Sequence, residues 1–226
     1  MMHKQSFVLS IKDSHQKILR EVNGQVFLPF NSEYQLLLKN LNYRRAVCQV
    51  TIDGTDALGG QELIVEANSS VDLERFMVDG NMSSGQRFKF VPLSSSEVQD
   101  TSSSENGIVV ARFWLERPPV GWTEQMYPAG MMKCCCDSMS TPTLSQAGAT
   151  VAGSHSNQGF SHGYFGEKDL VTETVLSLKL CGQVNQPVTV EQTRAIHCGF
   201  CGTRNKYQAN FCGKCGKELS SMKVTL

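Results

Sequence analysis

Ala46-Val-Cys-Gln-Val-Thr-Ile-Asp-Gly54 is the stretch that decides the fold. Ala46, Cys48, Val50 and Ile52 alternate with Arg45, Gln49 and Thr51, and Asp53-Gly54 closes the run with a turn dipeptide. Alternation of this period puts one set of side chains on a buried face and the other toward water, so the stretch reads as a strand entering a hairpin. The same period recurs on both sides. Phe7, Leu9 and Ile11 share a face, as do Tyr34, Leu36 and Leu38; Leu63 and Val65, Val71 and Leu73, and Phe88 and Phe90 supply shorter runs. Val109, Ala111, Phe113 and Leu115 form the strongest strand, and Leu176, Leu178 and Leu180 repeat the pattern within 174–181. Turn residues fall between them at Asn23-Gly24, Asn40 to Asn42, Gly59-Gly60 and Asp79-Gly80-Asn81. No amphipathic helix longer than two turns is legible. Short strands at this spacing predict a mainly β chain whose body, residues 1–181, is an antiparallel, jelly-roll-like β-sandwich.

Two interruptions stand out. Residues 94–106 hold six serines and three acids with no lysine or arginine, which predicts a loosely held loop. Residues 118–170 carry seven glycines, four methionines, six serines and six charges, and are expected to be one long inserted loop. Trp122, Met126, Tyr127, Met131, Met132 and Phe165 make that loop too apolar for a plain linker, so it reads as an adhesive arm. Within it lies Cys134-Cys135-Cys136. Three adjacent thiols diverge too much to share one ion and read as a reduced, cysteine-rich surface loop. Cys48 sits on an apolar face and is expected in the core. Arg44-Arg45 reads as a solvated turn.

A polar linker at 182–195 leads to a second unit at 196–226. Cys198-Gly-Phe-Cys201-Gly202 is followed, after ten intervening residues, by Cys212-Gly-Lys-Cys215-Gly216. A two-residue gap lets both thiolates of a pair reach one ion, and the trailing glycine permits the positive φ of a tight knuckle. Cys198, Cys201, Cys212 and Cys215 are therefore the expected ligands of a zinc ribbon binding Zn2+, closed and structural rather than catalytic. His197 is expected beside the site rather than in it. Five basic residues against Glu218 give this unit +4, which falls to about +2 once four thiolates hold a divalent ion. Nucleic acid is thus only weakly indicated as a partner. Tyr207 or Phe211 is expected to serve as the ribbon's core.

Composition bounds the function. The 226-residue chain has 21 lysines plus arginines and 21 acids, so no global charge directs it to polyanions or membranes. No run approaches eighteen apolar residues, and Met1-Met-His-Lys-Gln-Ser6 lacks the pattern of a signal peptide. Nine cysteines, four in a metal motif, indicate synthesis in a reducing compartment, the cytoplasm. No paired carboxylates, nucleophile elbow, phosphate loop or His-x-x-x-His motif is present. Gly153-Ser-His-Ser156 sets a serine beside a histidine without triad geometry, and Gly59-Gly60 lacks a following helix and lysine. The expectation is a non-enzymatic protein with no catalytic or organic-cofactor site.

The stretches Tyr34-Gln-Leu-Leu-Leu-Lys-Asn-Leu-Asn-Tyr-Arg-Arg-Ala-Val47, Ile52-Asp-Gly-Thr-Asp56 and Leu63-Ile-Val-Glu-Ala-Asn-Ser-Ser-Val-Asp-Leu-Glu-Arg-Phe76 resemble virion-type structural proteins of tailed phages and other large DNA viruses. Gly85-Gln-Arg-Phe-Lys-Phe90 and Thr150-Val-Ala-Gly-Ser-His-Ser-Asn-Gln-Gly-Phe160 belong to the same resemblance, which covers about residues 33–180. It implies a sandwich that decorates or cements a capsid, located in the virion, with capsid proteins or further copies of itself as partners. It transfers no active-site residue. The alternative is a cellular zinc-ribbon adaptor or nucleic-acid-binding protein using Arg204, Lys206, Lys214 and Tyr207.

Overall fold

A computed structural model of the chain describes residues 2–118, 146–183, 195–198, 200–206 and 209–219. The predicted strands are present, with the hairpin chemistry the sequence carries. One layer contains β1 (Met2–Lys4), β2 (Phe7–Asp13), β5 (Ser32–Asn40), β9 (Ser69–Leu73), β10 (Gly85–Pro92) and β12 (Gln146–Ser156). The other contains β3 (Glu21–Val22), β4 (Gln25–Leu28), β6 (Ala46–Ile52), β7 (Thr55–Asp56), β8 (Leu63–Val65), β11 (Ile108–Glu116) and β13 (Lys168–Gly182). The layers form one hydrogen-bonded path, joined where Gln146 and Ala147 of β12 meet Gly182 and Cys181 of β13. Pairing is antiparallel except for β4, which runs parallel to β13 from Gln25↔Lys179 to Leu28↔Gly182. No helix among the described residues is long and apolar enough to cross a membrane.

The core lies where the alternation puts it. Phe7, Leu9, Ile11, Tyr34, Leu36, Leu38, Phe88 and Phe90 from one layer face Cys48, Val50, Val109, Ala111, Phe113, Leu176 and Leu178 from the other. Phe7 stacks on Phe113 with ring centroids 4.4 Å apart, tying β2 to β11. Each fully buried side chain of this size contributes roughly 1.5–3 kcal/mol against exposure to water. Cys48 is fully buried, as expected, and burial pushes its thiol well above the usual range, so it packs rather than reacts.

Three expectations are corrected. The loop expected across 118–170 contains all of β12 and the start of β13. Strand β12 escapes the apolar-alternation test because it is built from small residues. A Cβ on Gly148 would strike the Phe90 ring and come within 2.6 Å of Val91 O, so only glycine lets β12 pass. The serine-rich loop at 94–106 is pinned rather than loose. Asp100 Oδ1 accepts from Ser102 N–H (2.9 Å) and Ser102 Oγ (2.7 Å), and Asn106 Nδ2 donates to Asp100 O at 2.8 Å. Arg44 and Arg45 are not a free solvated turn. Arg45 grips Glu116 with both arms of the guanidinium, at 2.9 and 2.6 Å, and Arg44 Nη1 reaches Asp169 Oδ2 at 3.2 Å. Those acids lie far away in sequence, so local reading could not pair them.

Candidate functional site

The two Cys-x-x-Cys knuckles are built alike. Cys198 N–H donates to Thr203 O (3.0 Å) and Gly202 N–H to Cys198 O (2.8 Å). In the second knuckle Cys212 N–H donates to Lys217 O (2.8 Å) and Gly216 N–H to Cys212 O (2.9 Å). Gly202 and Gly216 both take φ of 69°, the left-handed conformation expected of them. Strands β14 (Ala195–His197) and β15 (Arg204–Lys206) form a hairpin that carries the first knuckle, while a bridge between Phe211 and Glu218 closes the second.

This arrangement brings all four predicted ligands together, with every Sγ within 4.8 Å of the others. Cys198 and Cys215 lie 3.6 Å apart, as do Cys201 and Cys212. A tetrahedron of sulfurs about 2.3 Å from one ion has edges of about 3.8 Å, whereas a disulfide requires about 2.05 Å. The spacing therefore fits four thiolates around one metal ion and not two disulfides. Cys198 and Cys212 are buried, and Cys201 and Cys215 face outward. Burial and the neighbouring sulfurs push Cys215 up to about 12, whereas the main-chain N–H groups of Cys215 and Lys214 hold the Cys212 thiol down at about 6. The Thr203 hydroxyl, 3.3 Å from Cys201 Sγ, lowers that thiol in the same way.

Asn205 was not singled out by the sequence and is central here. Its Oδ1 accepts from Gly213 N–H (2.9 Å), while its Nδ2 donates to Thr203 O (2.7 Å) and to Cys212 Sγ (3.6 Å). One amide thus binds both knuckles and orients a ligand, the usual task of an outer partner at a metal site. Its sequence signal is only that an amide follows the first knuckle at a position where a β-strand would favour a branched residue.

The expectation that Phe211 could serve as the ribbon's core is corrected. Among the described residues its core consists of Ile196, Leu219, Cys198 and Cys212, with Ala209 against them. Phe211 is 63% exposed and Phe200 is 67% exposed, with Lys217 Nζ 5.4 Å from the Phe200 ring centre. Aliphatic Ile196 and Leu219 fill the small space between the knuckles. Tyr207 and Cys134 to Cys136 lie outside the described residues. His197 is exposed, outside the four-sulfur cluster.

Elsewhere, His155 is exposed and its Nε2 sits 3.0 Å from Asn157 Oδ1, while Ser154 N–H binds Glu33. The neighbouring Ser154 and His155 therefore do not face one another as nucleophile and base. One end of the sandwich exposes apolar side chains. Leu41 N–H donates to Ser6 O, Asn42 Nδ2 reaches Gln5 O, and Gln5 Oε1 accepts from the Thr174 hydroxyl. These bonds gather the β1–β2 turn, the β5–β6 loop and a bulge of β13 whose residues 170–173 fall between the registers Leu115↔Asp169 and Phe113↔Thr174. Leu41, Tyr43, Leu170 and Val171 stand out from these segments, with Val171 92% exposed.

The chain matches no protein-family model, no curated protein and no solved structure.

Proposed function

We propose that the chain is a non-enzymatic structural protein of a virus particle, a decoration or cement subunit that seats its apolar end on capsid proteins. The observation that supports an adhesive role is the exposure of Leu41 and Tyr43 on the β5–β6 loop and of Leu170 and Val171 at the bulge of β13. The choice of a particle as the surface rests on the sequence resemblance. The apolar arm expected within 118–170 is a second contact, and its residues 119–145 lie outside the described part. Weak individual contacts suffice where many copies bind a repeating lattice together. The test separates particles from lysate on a density gradient. The intact chain is expected with the particles in many copies, and a Leu41→Ser, Tyr43→Ser, Val171→Ser variant in the soluble fraction. An intact chain that never travels with particles overturns the reading.

The metal is zinc in this proposal, held by Cys198, Cys201, Cys212 and Cys215. A closed four-thiolate tetrahedron suits zinc better than any hard-oxygen cation. Elemental analysis of protein prepared without chelator should give one zinc per chain, and iron in its place would correct the assignment.

A second reading, a ribbon-led adaptor or nucleic-acid-binding protein, draws on the exposed Phe200 and Phe211 near Lys217. Aromatic faces beside a cation suit base stacking. Binding to single-stranded DNA that falls steeply between low and moderate salt would favour it over the particle role.

A further inference from the structure

The edge of β12 is open where it should be most exposed to pairing. Phe88 N–H donates to Glu74 O at 3.1 Å, and Phe90 O accepts from Asn31 N–H at 2.7 Å. Both residues therefore turn their main-chain groups away from β12. Their register partners Ala152 and Thr150 are non-hydrogen-bonded pairs with them, so these two direct their main-chain groups to the opposite side of β12. Strand β13 pairs with β12 only at Ala147 and Gln146, several residues away.

On that open side lies a groove of about 560 Å³ between β12, the Asp53 turn and the 97–106 loop. Thr150 N–H is already capped by Asp53 Oδ2 at 2.5 Å. Thr150 C=O and the N–H and C=O of exposed Ala152 remain, and among the described residues nothing pairs with the Ala152 groups. An edge of this kind is a template for another strand. The groove's charge says which strand. Asp53, Glu97 and Asp100 line it and no lysine or arginine does; Lys89, bound to Glu97 at 3.2 Å, stands just outside.

The geometry points to strand addition: an extended, basic segment of another protein chain pairs with Ala152 and Thr150 and sets its cationic side chains against Glu97 and Asp100. Main-chain bonds supply the affinity in this mode and the flanking charges the selectivity. The site is separate from the apolar end and from the metal, so it stands whether or not the particle reading holds.

The test uses the full chain and three labelled peptides followed by fluorescence anisotropy. A Lys-Val-Lys-Val-Lys-Val-Lys peptide is the probe. Its Glu-for-Lys counterpart reverses the charge, and a version N-methylated at alternate residues keeps the charge but cannot form the ladder. The basic peptide is expected to bind, to slow hydrogen exchange at Ala152, and to weaken about tenfold on N-methylation. Glu97→Gln, which leaves the fold's core untouched, should weaken it about threefold. Equal binding of the methylated peptide means charge attraction alone and overturns strand addition. So does equal binding of the acidic peptide, and so does no binding at all, which would mean the edge is not accessible to a strand.

Discussion

Single residues set the sandwich's turns and its response to pH. Asp53 sits at φ 52° ahead of Gly54 at φ 76°, the two central positions of a hairpin turn whose twist suits the flanking strands. Its carboxylate accepts from Gly107 N–H (2.7 Å) and Thr150 N–H (2.5 Å), so one side chain fastens β6 to β12 and to the start of β11. Burial pushes this acid up to about 6, with those two N–H groups acting against the rise. Because the folded value lies above the unfolded one, its contribution to stability is fullest below about pH 4 and is lost as pH rises through about 6. In urea unfolding, the stability of the wild type relative to Asp53→Asn should therefore improve by about 1 kcal/mol between pH 7.5 and pH 5. A difference that stays flat or shrinks on acidification would show that Asp53 is not held up by burial. The β1–β2 turn tells the opposite story. Gln5 and Ser6 take φ of 48° and 62° without a glycine, a conformation that costs an ordinary residue roughly 1–2 kcal/mol. Ser6→Gly should raise the midpoint of thermal unfolding by a few degrees.

At the scale of elements, what the sequence made legible depended on the size of side chains. Strands β2, β5, β6 and β11 announce themselves because large apolar residues alternate and the buried face is filled by them. Strand β12 is silent because Phe90 and Lys89 crowd Gly148 and Gly153, where no larger side chain fits, and these glycines break its apolar alternation. Strand β4 is silent for another reason: its four residues gain meaning only from a parallel partner about 150 positions later. The four-cysteine cluster was legible, since two knuckles are local motifs and the positions of their thiols follow from spacing. Asn205 was not, because its importance comes from bridging the knuckles in space. A dependence of this unit on a bound ion is expected from its size. Among the described residues, two of its four buried core residues are cysteines of the cluster, leaving Ile196 and Leu219 as the apolar filling. So small a core cannot offset the entropy of ordering the unit, and metal binding can supply on the order of 10 kcal/mol. Cys201→Ser should release the ion and abolish the dispersed amide signals of residues 195–219, while the sandwich keeps its cooperative melting. Asn205→Ala should retain the ion but weaken its affinity about tenfold or more, read by competition with a chelator. Retention of unchanged affinity would deny Asn205 its orienting role.

For the whole molecule, β12 is the strand on which continuity between the layers depends. It pairs with β10 from Gly148 to Ser156 and then, through Gln146 and Ala147, turns the hydrogen-bonded path into β13. Asp53 adds a third tie by reaching across from β6 to Thr150. Beyond β12, Gln158 reaches back to the first layer: its carbonyl accepts from the buried Arg75 at 2.8 Å and its Nε2 donates to Asp72 O at 2.6 Å. Arg75 spends its other donors on Phe76 O and Asn81 O, so loss of Gln158 would leave a buried cation short of one acceptor. Two deletions separate this role from that of the apolar segment ahead of it. Replacing residues 123–166 by a short Gly-Ser linker removes β12 and Gln158 together, exposing the edge of β10 and the Phe88 and Phe90 faces. That protein is expected to lose cooperative melting and to aggregate. Replacing residues 123–141 alone removes none of the described strands, and a cooperative transition with strand-type far-ultraviolet dichroism should remain. If the longer deletion still melts cooperatively at an unchanged midpoint, β12 does not join the layers. If it fails and the shorter one folds, the shorter variant is also the right protein for the particle experiment, because it removes Met126, Tyr127, Met131 and Met132 of the expected arm and keeps every described strand.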